Sequence, residues 1–260
     1  MSEIKEIRFE DENSNIKECV EDYWTERADS FFLQKKHEIE HPKFERWTEE
    51  ILSVIPSALA RIKAGDKVSV LDVGCGAGFF EVMLGKHGFD VTGIDLTPKM
   101  VRHADEMIRH FNVEDKAKVC VMDAENLDFP DSSFDIVISR NLTWTLPHPI
   151  QAYDEWKRVL KAGGVLINLD AEYAKGAHKF NQSENIAHKD LSSDMNEKCH
   201  KIYHMLSISN LERPEWDEGV LKELGFCDVN CDTAFGNRLY AEKDEFYMPD
   251  RMFMIVAMKN

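Results

Sequence analysis

No apolar run in this 260-residue chain approaches the roughly 18 residues that a membrane-spanning helix needs, so no bilayer span is expected. The N-terminal stretch MSEIKEIRFEDENSN is charged and has no apolar core, which argues against a secretory signal. CxxC spacing is missing as well. Cys19, Cys75, Cys120, Cys199, Cys227 and Cys231 are scattered, as expected for free thiols in a reducing compartment, and a cytoplasmic location follows. Positive charge is scarce. With 32 Lys and Arg against 48 Asp and Glu the formal charge is −16, and without a basic stripe a nucleic-acid partner is not expected. Neither an internal repeat nor a low-complexity tract interrupts the chain. What remains, 43% hydrophobic and 31% charged, is too apolar for disorder and suits one large α/β domain, alone or with a small appendage.

From about 68 to 170, short apolar runs alternate with amphipathic stretches, the pattern of βαβ units on a parallel sheet. Strands are expected at 68–73, 91–95, 118–122, 134–139 and 165–169. Helices are expected at 79–87, closed by Gly88, after Thr97-Pro98, and over 149–161 with Tyr153, Trp156, Val159 and Leu160 on one face. Residues 14–62 look mostly helical and aromatic. Leu191, Met195, Cys199, Ile202 and Leu206 recur every three or four residues, as on a helix with one apolar stripe. A short helix over 214–224, an alternating strand over 227–233 and an apolar strand over 252–258 complete the pattern.

The informative stretch is Val70-Leu71-Asp72-Val73-Gly74-Cys75-Gly76-Ala77-Gly78-Phe79, a strand running through three alternate glycines into a helix. Glycines permit the tight turn and close approach of a ligand to backbone. The helix N-terminus offers N–H groups and partial positive charge to a carboxylate or phosphate. Asp95, at the tip of the second strand, can accept from ribose hydroxyls. These positions predict a nucleoside cofactor across the carboxyl ends of the strands. A dinucleotide fingerprint is GxGxxG; here the third glycine comes one residue early and Phe79 stands in its place.

This run, with Asp72 two residues before the first glycine, resembles the first motif of class I S-adenosylmethionine-dependent methyltransferases of the small-molecule, type 11 kind. The resemblance continues in order through Gly93-Ile94-Asp95-Leu96-Thr97 with Met100, Met122-Asp123-Ala124-Glu125, Phe134-Asp135-Ile136-Val137-Ile138-Ser139 and Val159-Leu160-Lys161-Ala162-Gly163-Gly164. It covers roughly 66–170, and Tyr23-Trp24 through Arg27-Ala28 resembles the N-terminal cap of such enzymes. It implies a Rossmann-like fold with a seven-stranded, mostly parallel sheet, an antiparallel last strand and a helical cap. The expected organisation is an N-terminal cap at 1–62, the cofactor-binding core at 63–170, a helical insertion at 171–212, and a C-terminal helix and β-hairpin at 213–260.

The resemblance also implies a site. Gly74, Cys75, Gly76 and Gly78 line the methionine part of S-adenosylmethionine, and Asp72 helps hold its amino group. Asp95 binds the ribose, Leu96 and Met100 flank the adenine, and Asp123 accepts from the adenine amino group beside Ala124. Arg140 and Asn141 lie near the sulfonium. Tyr23, Trp24 and Trp144 are expected to line the substrate pocket, and S-adenosylhomocysteine is the expected product. The reaction is an in-line displacement in which positioning does most of the catalysis, on the order of 7–11 kcal/mol in well-aligned cases. Tyr23, His148, Glu172 and Tyr173 are candidates for a base by location alone.

Other features have plainer explanations. Cys227 and Cys231 on one strand stand roughly 13 Å apart at about 3.3 Å per residue, too far for one bridge, and belong with Val229 to an inward face. His200 and His204 have the i, i+4 spacing of metal ligands but no third ligand placed by sequence, so a solvated face is preferred and no metal is expected. Ser139-Arg140-Asn141-Leu142 lacks the Asn/Asp-Pro-Pro-Tyr of enzymes that methylate DNA bases or glutamine. A small-molecule acceptor is the leading expectation. The alternatives are a non-catalytic regulatory or scaffold protein that binds the cofactor, and another group transfer from it.

Overall fold

The structure is a computed structural model and describes residues 13–173 and 191–260. The acidic N-terminal dozen residues and much of the 171–212 insertion lie outside those described.

Three helices lead, α1 (Asn13–Glu40), α2 (Lys43–Ser53) and α3 (Pro56–Lys63). Next come β1 (Ser69–Val73), α4 (Phe79–Lys86), β2 (Asp90–Asp95), α5 (Pro98–His110), β3 (Ala117–Val121) and β4 (Phe134–Arg140). The chain continues with α6 (Pro149–Val159), β5 (Leu160–Ala171), α7 (Ser193–Met205), α8 (Glu215–Glu223), β6 (Phe226–Asp232), α9 (Phe235–Leu239) and β7 (Met252–Lys259). The expected elements are present, with ends shifted by a residue or two, except that β5 starts five residues early at Leu160.

The seven strands form one sheet in the order β3-β2-β1-β4-β5-β7-β6. β1 to β5 pair in parallel, and β7 runs antiparallel to both neighbours. β6 and β7 are joined through residues 233–251, which include α9, rather than by a tight turn. In β6 the alternation is interrupted where register shifts between Cys227 and Asn230, with Asp228 at φ +49°. Cys227, Val229 and Cys231 nonetheless stay half-buried while Asp228 and Asn230 are exposed.

Apolar side chains bury both faces of the sheet, as a parallel sheet covered by helices requires. On one face α1, α2, α4 and α5 close over Val70, Ile136 and Ile138; on the other, α6 and α8 close over Leu71, Val73 and Val137. Tyr153, Trp156 and Val159 are fully buried there, as their helical spacing predicts. Strand order reverses between β1 and β4, the place where open α/β sheets hold ligands.

Candidate cofactor and acceptor site

Register brings the site together. Val73 pairs with Ile94 of β2 and with Ser139 of β4, so Gly74, Asp95 and Arg140 emerge at one level from three adjacent strands. A cavity of about 360 Å³ opens above them, within the size range of small-molecule sites.

Gly74, Gly76 and Gly78 all have positive φ, +74°, +53° and +89°. A Cβ on Gly74 would lie 2.9 Å from Leu142, and one on Gly76 would lie 3.1 Å from Phe31, so side chains of the cavity wall already fill that space. Gly78 does not line the cavity; its missing Cβ lets α4 approach the Ala104 backbone of α5, 3.2 Å away. The turn's N–H groups are mostly spent inside the protein. Those of Gly74 and Cys75 donate to Ile94 O at 2.8 and 2.9 Å, that of Gly78 donates to Cys75 O, and that of Gly76 donates to Asp95 Oδ2 at 3.0 Å. Close approach, rather than a nest of open donors, is what these glycines supply.

Asp95 also accepts from the Thr97 N–H at Oδ1, 2.8 Å. Burial pushes its carboxyl up although both N–H groups favour the charged form. The ribose-binding expectation therefore falls on a carboxylate already held in place by backbone. Leu96, Met100 and Ala124 line the same end of the cavity. Asp123 does too, but its Oδ2 takes the Lys17 ammonium of α1 at 2.6 Å, and Lys17 also pairs with Glu125. Asp72 is buried beneath the turn beside Glu81. Burial raises both carboxyls, and their mutual proximity and Asp95 make joint ionisation costly.

Of the four base candidates, Tyr23 and Tyr173 line the cavity and His148 and Glu172 do not. His148 donates its N–H to Glu125 at 2.6 Å and sets its ring against the same carboxylate, while Glu172 accepts from the Arg213 N–H. Burial pushes both phenols up, and the Tyr173 hydroxyl donates to Asn141 Oδ1 at 2.7 Å. Asn141 itself sits at φ +58°, in the left-handed region that asparagine tolerates. Trp24 and Trp144 line the cavity, and Trp144 packs against Tyr173 and Tyr203 with centroids 5.5 and 4.9 Å away. His200 lines it as well, and among the described residues no group of three metal-ligating side chains comes together. Cys75 is buried, and burial holds its thiol well above the usual range.

Several wall residues escaped the sequence reading. Lys35 and Glu38 come from α1, and Tyr240, Phe246 and Asp250 come from the segment before β7. Burial raises the Asp250 carboxyl to about 7. A lone acid in the apolar run Phe79-Phe80-Glu81-Val82-Met83-Leu84 was a signal for Glu81; nothing local marked Asp250.

The residues present fit an S-adenosyl nucleoside: a glycine turn on the cavity floor, a fixed carboxylate at the second strand tip, and an apolar end lined by Leu96, Met100 and Ala124. The family described as "Methyltransferase domain" matches residues 71–168. 2-Methyl-6-phytyl-1,4-hydroquinone methyltransferase of Synechocystis sp. is 42% identical over 103 residues, 39% of this chain and 31% of that protein. Sterol 4-C-methyltransferase strm-1 of Caenorhabditis elegans is 25% identical over 203 residues, 76% of this chain and 58% of its own. Phosphatidylethanolamine N-methyltransferase of Cereibacter sphaeroides is 37% identical over 98 residues, 38% and 48% of the two chains. The chain thus spans about a third to three-fifths of the length of these relatives. The fold is shared with Haemonchus contortus phosphoethanolamine N-methyltransferase 2, at TM-score 0.52 and 20% identity over 79% of this chain and 53% of that one. It is also shared with the [4+2]-cyclase SpnF, at TM-score 0.51 and 19% identity over 74% and 75% of the two chains. Residues 71–168 are therefore a methyltransferase domain, carried on the fold of the class I S-adenosylmethionine-dependent methyltransferases.

Proposed function

We propose that this chain binds S-adenosylmethionine at the carboxyl ends of β1, β2 and β4 and transfers its methyl group in line to a small-molecule acceptor. The observation that carries this is the common level of Gly74, Asp95 and Arg140 beneath one cavity, inside the matched methyltransferase domain. The relatives are named for a hydroquinone, a sterol and phosphatidylethanolamine, which favours an acceptor with an apolar part. The aromatic wall of Tyr23, Trp24, Trp144 and Tyr203 favours the same.

When bound, the cofactor supplies a methyl already activated by sulfonium charge. The chain's own work is positioning and the exclusion of water. Asp95 holds the ribose end, and Leu96, Met100 and Ala124 take the adenine. Asp72 faces the amino group, whose positive charge would favour the ionised form of a carboxyl that burial otherwise holds up. Tyr173 and Asn141 fix the β4 tip where the acceptor enters. Asp250 is the carboxyl suited to take a proton near neutral pH, since its affinity for the proton sits close to the working range. Asp250→Asn is expected to lower turnover by about 10²-fold or more while leaving cofactor affinity within threefold.

Calorimetric titration with S-adenosylmethionine and S-adenosylhomocysteine tests the cofactor, and absence of binding to either would overturn it. Release of S-adenosylhomocysteine, followed against a panel of thiols, amines, phenols and carboxylates, tests the reaction. The cyclase on the same fold favours a second reading, in which the cofactor is bound without methyl transfer or serves another group transfer. Binding without methylated product across the panel would favour that reading.

A further inference from the structure

Among its acids, the cavity gathers buried cations whose open donors the proposed cofactor does not use up. Arg140, at the tip of β4, is buried, with side-chain exposure of 9%. Its guanidinium lies over Trp47 at 3.8 Å and Phe79 at 4.6 Å. Nη2 donates to Glu38 Oε1 at 3.0 Å, whereas Nε and Nη1 have no hydrogen-bond partner among the described residues. The phenols of Tyr240 and Tyr173 stand near it. Lys35 reaches the other oxygen of Glu38 at 2.5 Å. Arg27, also buried and lining the cavity, donates from Nη1 to Ser30 Oγ at 2.6 Å, and its Nε is unpartnered.

Arg140 and Lys35 therefore flank the Glu38 carboxylate, Arg27 stands near Lys35, and both guanidiniums hold donors without a partner in hydrogen-bond geometry among the described residues. Burying a charge without a partner is strongly disfavoured, and so is burying an unmet N–H. S-adenosylmethionine brings a single carboxylate, and its ammonium and sulfonium make it a net cation. If that one carboxylate engages one guanidinium, the other keeps its open donor. Arg27, Lys35, Glu38 and Tyr240 also lie outside residues 71–168, the stretch common to the family, where acceptor selection belongs.

We propose that the acceptor is an acid: a small molecule with an apolar or aromatic body whose carboxylate is held by Arg140 with Lys35 beside it. This rests on the cofactor assignment above. Guanidinium matches a carboxylate through planar paired donors, and stacking on Trp47 and Phe79 fixes its plane.

The test is calorimetric titration of phenylacetate and its neutral isostere phenylacetamide into protein saturated with S-adenosylhomocysteine. Phenylacetate is expected to bind at least about tenfold tighter, the scale of one charge-assisted hydrogen bond. Arg140→Lys, which retains a positive charge for Glu38, should remove most of that preference. Lys35→Met provides a second variant, and thermal unfolding of both verifies that they fold. Equal binding of acid and amide overturns the proposal. It is also overturned if Arg140→Lys weakens S-adenosylhomocysteine tenfold but not its decarboxylated analogue, because Arg140 would then hold the cofactor's own carboxylate. Failure of the parent protein to bind S-adenosylhomocysteine would instead sink the cofactor assignment, a separable result.

Discussion

Glu81 is fully buried in the first turn of α4, where it faces Asp72. Its Oε1 occupies the place where a Cβ on Gly93 would sit, 2.0 Å away, so the acid and that glycine require each other. Burial raises both carboxyls of the pair, Asp72 to about 8. An unfolded carboxyl titrates near 4. Between about pH 4 and 8 the folded protein thus retains a proton that the unfolded chain releases, and stability falls as pH rises through that window. Glu81→Gln removes the penalty without changing volume. Its melting temperature is expected to exceed the parent's by a margin that grows between pH 5 and 8.5, by about 2–4 °C per kcal/mol relieved. Parallel melting curves across that range, measured by calorimetry, would count against a proton retained at this buried pair.

At the scale of elements, a buried polar network ties α8 and β5 to the cavity wall. Arg213 donates to Asp217 at 2.7 and 2.8 Å and to Asp170 at 2.9 Å, and all three side chains are almost wholly buried. Asp170 also receives the Trp144 N–H at 3.0 Å, and Asp217 receives the Tyr153 hydroxyl at 2.7 Å. The network thus fixes the aromatic turn after β4 from behind. Arg213→Met would strand two buried carboxylates. A loss of about 3–5 kcal/mol is expected, or on the order of 10 °C in melting temperature, with weaker binding at the Trp144 wall. Chemical denaturation of the variant checks the first figure.

Across the whole molecule, α1 acts as a strap. Lys17 holds Asp123 and Glu125 at its start, Asp29 meets Lys99 and His103 of α5, and Glu38 meets Arg140 near its end. Exposed pairs of this kind contribute little individually, but Glu125 is 1% exposed and loses a partner if Lys17 is removed. Lys17→Met is expected to accelerate amide exchange in the first turns of α1 by about tenfold, relative to β1 and β4, because partner loss acts on local opening. Hydrogen-exchange mass spectrometry resolves the two regions. Equal acceleration throughout would mean that Lys17 supports global stability and not the strap.

The parallel sheet, the glycine turn and the acids at Asp72, Asp95 and Asp123 were determined by the sequence alone. Their signals are local: a β-branched run, glycines at fixed spacing, an acid at a strand end. The helix faces of α6 and α7 were legible for the same reason, since periodicity is a short-range property. Only the tertiary structure decided what surrounds that turn. Arg140 lies about a hundred residues from Lys35 and Glu38 in sequence, and Asp250 and Tyr240 come from the far end of the chain. No spacing rule joins such positions. It also removed His148 and Glu172 from the cavity, and Gly78 from its lining. The chain's lack of positive charge, which argued against nucleic acid, proved uneven: the scarce cations Arg27, Lys35 and Arg140 are gathered in the cavity, where burial makes each count most.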